Sequence, residues 1–308
     1  MNCAKVTIVV LNWNGLNDTI ECIESLKKLN YRDFQVVVVD NGSSGDDVTV
    51  LRERFGNYIY VIDNGVNYGF AEGNNIGIRY ALTNFSPDYV LLLNNDTVVD
   101  PEMLTELVKA AQSNASIGIL GPRLYSYREP RRILPMLFKT SPEGQMMKGA
   151  SVERPPHGID TGQLTEPTEV GWLCGCALLI KQDLIAKIGL LYSGYFAYYE
   201  ETEYCLRCSR AGFKLIYVPT ALLWHKVMGT TGKLSGFYYY YMTRNQFLFV
   251  ARNATLAQSS IYLLQFLLWR GPTTVVYHVL RKDQKSLKTF CRGAFDGIMF
   301  VLTKKHTR

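Results

Sequence analysis

The chain has no apolar run long enough to cross a bilayer. Its stickiest stretch, Ile261 to Trp269, is nine residues long and is followed by Arg270, Gly271 and Pro272. A spanning helix takes roughly 20 apolar residues, so no transmembrane segment is expected. The N-terminus shows no cleavable signal: the short apolar run through Val6 to Val10 ends in polar residues without a small-residue cleavage site. There is also no even-numbered cysteine framework of the kind found in small secreted modules. The seven cysteines of this 308-residue chain are expected to be reduced thiols in a cytoplasmic protein. Internal repeats, low-complexity segments and nucleic-acid-binding motifs are missing as well, so nucleic acid is not an expected partner.

What is present is a globular composition, 47% hydrophobic and 19% charged, sufficient for a sizeable core. Charge is unevenly placed. From Arg270 to Arg308 nine Lys/Arg stand against Asp283 and Asp296, a net +7, and since the whole chain carries +6 the remainder is −1. A basic patch confined to one end, without a nucleic-acid motif, points to lipid headgroups.

The first hundred residues alternate strand and helix. "VTIVVLNW", "FQVVVVD", "YIYVID" and "YVLLLNND" read as strands. "LNDTIECIESLKKLN", "VTVLRERF" and "GFAEGNNIGIRYAL" read as helices, the first capped by Asn17 or Asp18. This order predicts an α/β fold with a mainly parallel sheet covered on both faces. Ligands of such sheets bind beyond the carboxyl ends of the strands. Asn12 and Asn14, Asp40 and Asn41, Asn64 and Asn67, and Asn94 to Asp96 all fall at such ends. One polar end is ordinary turn chemistry; four on one edge favour a site for a polar small molecule.

Residues Tyr125 to Glu169 read as an irregular excursion rich in Pro, Gly and charge. Order resumes with a strand and a helix starting near Asp183, then a loop and helix through "GYFAYYEETEYCLRCSRAGF". "KLIYVPTALLWH" reads as two short strands about Pro219, and helices follow from about Lys226. Phe295, Met299 and Leu302 share one helical face near the basic tail, a pattern suited to a helix lying on a membrane surface.

"VTIVVLNWNG", "VVVVDNGSSGDD", "NYGFAEGNNIGI", "LLLNNDTVVDP", "GYFAYYEETEYCLRCSRAGFKLIYVPTALLWH" and "YMTRNQFLF" stand in an order that resembles the family 2 glycosyltransferases. Within that family the chain looks like the rhamnosyltransferase-like branch of bacterial polysaccharide assembly. The resemblance spans Lys5 to Arg252 and implies a GT-A fold. It also implies a UDP- or dTDP-sugar donor, a divalent metal (Mn²⁺ or Mg²⁺) and inversion at the anomeric carbon. The expected division is a glycosyltransferase domain over 1–228, with a donor half to about 100 and an acceptor half after it. A helical, basic, membrane-associating segment over 229–308 completes the chain. The acceptor is expected to be a saccharide or lipid-linked saccharide at the cytoplasmic membrane face; the oligomeric state is left open.

The residues carry this reading individually. Leu11, Asn12 and Asn14 match the nucleotide cradle. Asp40 matches the position that reads the base, a role that can coexist with capping the Gly42-Ser43-Ser44 turn. Asn67, Gly69 and Asn74 could bring backbone and amides to the donor, or cap a helix. Asp96 is the metal-ligand candidate, because a hard cation offsets charge on a departing diphosphate. The family's Asp-x-Asp is reduced here to Asn94-Asn95-Asp96, with both amides assigned to the donor. His225 falls where many members complete the metal site. In "YEETE", Glu200 and Glu201 match the family's acidic pair, with Glu201 as general base. Glu203 reads as a helix-terminus residue. Trp172 and Gly175 match the loop beneath the acceptor, though a core role for the tryptophan is equally open. Cys174, Cys176, Cys205 and Cys208 suggest zinc by spacing, but the last two lie within a helical pattern and read as buried thiols.

Two rivals come from other classes. A sugar-nucleotide-forming nucleotidyltransferase would carry a basic, glycine-rich phosphate loop near its N-terminus, and "LNWNGLNDT" has no basic residue. A catalytically inactive membrane scaffold would be free to lose Asp96 or the Glu200/Glu201 pair, and all three are present.

Overall fold

The computed structural model describes residues 3–134, 137–138, 158–162, 165–227 and 235–303. Most of the central excursion, the 228/229 boundary and the basic tail from Lys304 lie outside these residues, as do His157 and His306.

Strands β1 (Val6–Asn12), β2 (Phe34–Asp40), β3 (Tyr60–Asp63) and β4 (Tyr89–Asn94) are parallel neighbours in the order β3-β2-β1-β4. Their lack of polar alternation has a direct cause: both faces are covered. Ile8, Val10, Val36, Val38, Leu91 and Leu93 pack beneath α1 (Leu16–Leu26), α2 (Asp47–Phe55) and α4 (Met103–Gln112). Val9, Val37, Val39, Val90 and Leu92 pack on the other side against α3 (Gly69–Asn84). Each such fully buried side chain contributes about 1.5–3 kcal/mol, so a one-residue slip in any strand is disfavoured. Register is level at the carboxyl edge, with Asn12 opposite Asp40 and Leu11 opposite Asn94.

These four strands are parallel as their order with the helices predicts, and beyond β4 the sheet is mixed. Strand β5 (Thr97–Val99) is short, and β6 (Ile117–Ser126) is followed by the small strands β7 (Arg132–Ile133), β8 (Leu137–Phe138), β9 (Gly158–Ile159), β10 (Thr168–Val170) and β11 (Trp172–Leu173). Strand β12 (Ala177–Lys181) then runs antiparallel between β4 and β6. Because β12 runs opposite to β4, the loop that precedes it lies at the edge where β4 ends. Strand β13 (Lys214–His225) is parallel to β6 and delivers His225 to that same edge. It is one strand rather than two; Pro219 sits in a register shift between Val218 and Leu222. Helices α5 (Gln182–Ile188) and α6 (Glu200–Arg210) complete the second layer.

The helical C-terminal part comprises α7 (Ser235–Asn253), α8 (Leu256–Gln265), α9 (Gly271–Leu280) and α10 (Gln284–Thr303), with a core of Phe247, Phe266 and Phe290. Gly271 and Pro272 do not end the helix as expected. A π turn over Phe266–Arg270 joins α8 to α9, and its wide turn, closed by Gly271 N–H to Phe266 O, accommodates the proline ring. His278 is buried on α9. The cap of α1 also differs: Gly15 occupies that position, and Asp18 lies in the first turn, bound to Lys226. Among the described residues no helix is long and apolar enough to cross a membrane. A broad apolar surface is nevertheless exposed on α8 and α9 and the π turn between them (Leu264, Leu268, Trp269, Leu280) and on α10 (Phe295, Leu302).

Candidate active site

The strand ends surround a cleft of about 290 Å³. One wall is Leu11, Trp13, Asn41, Asn67, Gly69 and Phe70. Asn94, Asn95, Asp96 and His225 form the floor, and Cys174, Gly175, Cys176, Glu200 and Glu201 form the opposite wall. Phe196, Ala197, Tyr198 and Phe237 close the top.

Asp96 and His225 are 129 positions apart and meet because β5 pairs antiparallel with the end of β13, setting Thr97 opposite His225. His225 Nε2 lies 3.1 Å from Asp96 Oδ1. Burial disfavours an imidazolium there, but the hydrogen bond and charge of Asp96, with a smaller contribution from Cys174, outweigh it and raise the His225 pKa. Lys226 N–H donates to Asp96 O at 3.0 Å, and the Lys226 ammonium ties this corner to Asp18 and Glu21 of α1. The donor set suits a divalent cation: one carboxylate oxygen and one imidazole nitrogen face each other on a polar floor, and His225 Nδ1 is buried without a hydrogen-bond partner. Among the described residues no cluster of three or more His, Cys, Asp or Glu groups closes around an ion. A bound Mn²⁺ or Mg²⁺ would therefore take its remaining ligands from water and phosphate oxygens.

Glu200 and Glu201 open α6, and their backbone follows a left-handed Tyr199 (φ 77°). Glu200 is buried and its pKa lies well above the ordinary carboxylate range, first because of burial and then because of the neighbouring Glu201 charge. The Glu201 pKa is also raised by burial, against hydrogen bonds from its own N–H and from Thr202. One oxygen of each, Oε2, is buried without a partner. Burial and mutual repulsion thus raise the proton affinity of both carboxyls. Glu203 does not join them; its carboxylate binds Arg207 at 2.8 Å and Arg252 at 3.7 Å.

Five expected site residues are not on the cleft wall. Asn12 is fully buried behind it, donating to Asp40 at 2.7 Å and to Asp47 at 2.9 Å. Asp40 accepts the first of these together with Ser43 N–H and Ser43 Oγ–H, so its carboxylate orders the turn. Asn14 accepts from Ser44 N–H at 2.8 Å, Asn74 donates to Phe70 O within α3, and Trp172 Nε1 donates to Thr202 at 3.1 Å. The remaining assignments, Leu11, Asn67, Gly69, Asn94, Asn95, Asp96, Gly175, Glu200, Glu201 and His225, surround one space. Trp13, Phe70, Phe196, Tyr198 and Phe237 join them without having been singled out by sequence. Cys174 and Cys176 line the wall, while Cys205 and Cys208 are buried; all four are free thiols.

A parallel nucleotide-type sheet continued by a mixed acceptor-side sheet, with an acid pair and an Asp–His pair across one cleft, defines the GT-A class of glycosyltransferase folds. The chain belongs to glycosyl transferase family 2, whose description its residues 7–189 match. It is 29% identical to the low-salt glycan biosynthesis hexosyltransferase Agl10 of Haloferax volcanii over 68% of this chain and 63% of that one. It is 27% identical to an N-acetylglucosaminyl-diphospho-decaprenol L-rhamnosyltransferase of Mycobacterium tuberculosis, over 68% and 72% of the two chains. With the dTDP-rhamnosyl transferase RfbF of Shigella flexneri it shares 24% identity over 96% of both. Among solved structures, a mannosyltransferase of Pyrobaculum calidifontis in complex with GDP-Man and Mn²⁺ superposes over 99% of this chain and 89% of its own. The TM-score is 0.57 and the identity 13%, a likeness of fold.

Proposed function

We propose that this glycosyltransferase transfers a rhamnosyl or other hexosyl group, with inversion, from a UDP- or dTDP-sugar to a saccharide or lipid-linked saccharide during cell-surface polysaccharide assembly. The observation that carries the reading is the placing of the Glu200/Glu201 pair across one cleft from Asp96 and His225. Glu201 takes the proton of the acceptor hydroxyl as that oxygen attacks the anomeric carbon. The bond from that carbon to the diphosphate breaks on the opposite side, and the nucleoside diphosphate leaves with the electron pair. A divalent cation bound by Asp96 and His225 would offset the charge on that leaving group. Asn41, Asn67 and the backbone at Gly69 line the end of the cleft suited to the nucleotide. The relatives' printed names support a lipid-linked acceptor and a deoxyhexose donor.

The exposed apolar surface of α8, α9 and α10, with Arg270, Arg281, Lys282 and Lys285 beside it, supports docking at the anionic cytoplasmic face of the membrane. The reading also treats the sheet region and these helices as separate domains, divided near residue 228. The test is product analysis by mass after incubation with a panel of sugar nucleotides and a lipid-linked saccharide, alongside calorimetric titration of UDP and dTDP with and without Mn²⁺. Sugar transfer is expected. Formation of a sugar nucleotide would support a nucleotidyltransferase, and no nucleotide binding would support a scaffold.

A further inference from the structure

The loop between α5 and α6 is bent in a way its residues do not favour. Phe196 adopts φ 64° and ψ −61°, and Ala197 N–H donates to Tyr195 O at 2.8 Å, a tight γ-turn of the strained hand. Tyr198 and Tyr199 also have positive φ, 67° and 77°. Three non-glycine residues in such conformations persist only where the surroundings over-determine them. The loop links both walls of the cleft. Phe196 O accepts from Phe70 N–H and Ala71 N–H at the start of α3, and Gly69 is packed so closely that a Cβ there would meet Phe196 O at 2.5 Å. Tyr199 leads directly into Glu200 and Glu201.

What holds this loop comes from the C-terminal helices. Asn245 of α7 is fully buried, and its amide donates to Tyr195 O at 2.9 Å, Ala197 O at 2.7 Å and Tyr198 O at 2.7 Å. With two N–H groups serving three carbonyls, one bond is shared. Arg244 donates to Asn245 Oδ1 at 2.8 Å, orienting that amide, and to Gly194 O and Tyr195 O at 2.7 and 2.8 Å. Around the same bend Phe196 stacks on Tyr241, with 5.1 Å between ring centroids.

We infer that Asn245 is a positioning residue for Glu201: by fixing the strained 193–199 loop, helix α7 sets the base against the cleft and ties its place to the start of α3. The inference rests on the proposed role of Glu201. It gives the C-terminal helices a part in turnover that is separate from membrane docking.

The test uses the full chain with Asn245→Ser and Asn245→Asp, the second placing an acceptor where three carbonyls need a donor. Folding is followed by circular dichroism and nucleotide affinity by calorimetry. Both variants are expected to bind UDP or dTDP within about threefold of the parent while kcat falls about 100-fold, the scale of a small misplacement of a catalytic group. A relaxed loop also admits water to Glu201, so the acid limb of the kcat profile should move to lower pH. Parent-like kcat overturns the inference. So does a loss of kcat with the acid limb unmoved, which marks a structural role alone. Should both variants fail to fold, Arg244→Gln removes the neighbouring bonds to the same loop, and parent-like kcat and profile there overturn it equally. A parent enzyme inactive on every sugar nucleotide would sink the proposed function itself; an active parent with parent-like variants sinks only this inference.

Discussion

Gly175 stands so close to Glu201 that a Cβ at position 175 would lie 3.1 Å from the Glu201 Cβ and 3.2 Å from its Cγ. Those distances are tighter than ordinary packing, so an added methyl displaces the glutamate by a few tenths of an ångström. Gly175→Ala is therefore expected to lower kcat about 10- to 100-fold. Calorimetric titration should show nucleotide affinity unchanged, and a parent-like kcat would disconnect Gly175 from the base.

The raised pKa values of the acid pair set a pH dependence. Glu201→Gln should abolish turnover while nucleotide binding survives, and in the parent the acid limb of kcat should lie above the ordinary carboxylate value of about 4.3. For stability the sign is negative. Carboxyls that bind a proton more tightly when folded cost stability as pH rises from that ordinary value through the raised one. Glu200→Gln keeps the neutral form, so its Tm advantage over the parent should grow as pH rises above the ordinary carboxylate value. A pH-independent difference in Tm would contradict a raised pKa for the buried Glu200.

At the floor, Asp96→Ala and His225→Ala should weaken Mn²⁺ binding as followed by electron paramagnetic resonance of the ion. Turnover should fall about 100-fold or more for Asp96→Ala, since offsetting charge on a diphosphate leaving group is worth several kcal/mol. Chelation should silence the parent, with added Mn²⁺ restoring it. Mn²⁺ binding that survives both substitutions would move the ion elsewhere.

The exposed ridge near the π turn gives a separable prediction. Leu268→Glu combined with Trp269→Glu places two charges on a face now exposed and apolar. Co-sedimentation with phosphatidylglycerol vesicles should be lost, while turnover of a short water-soluble acceptor stays within about twofold. Retained vesicle binding would locate the membrane contact on another face.

The strands and their polar ends were readable because a doubly covered sheet demands unbroken apolar runs, and because the carboxyl edge is where such runs turn polar. Asp96 was readable for the same reason, whereas the acid pair, which opens helix α6, was read from the family resemblance. Asn12 and Asp40 show the limit. Their positions at strand ends were correctly inferred, but direction was not: both turn inward and satisfy each other, with Ser43 and Asp47. An amide or carboxylate carries no mark in sequence saying whether a neighbour or a ligand will take its hydrogen bonds. The π turn at Phe266–Arg270 was missed because Gly-Pro stops an ordinary helix, and only the packed helical surroundings favour a wider turn instead.

By itself the sequence determined the layered sheet, its alternation with helices and the chemistry available at its edge, since these follow from local periodicity and residue type. Only the tertiary structure decided which of those groups share a cleft. The antiparallel entry of β12 puts Gly175 beside Glu201, the β5–β13 pairing joins Asp96 to His225, and Asn245, 47 to 50 positions further on, holds the loop that leads to the base. Such meetings depend on register and chain direction across distant segments, for which no local pattern exists.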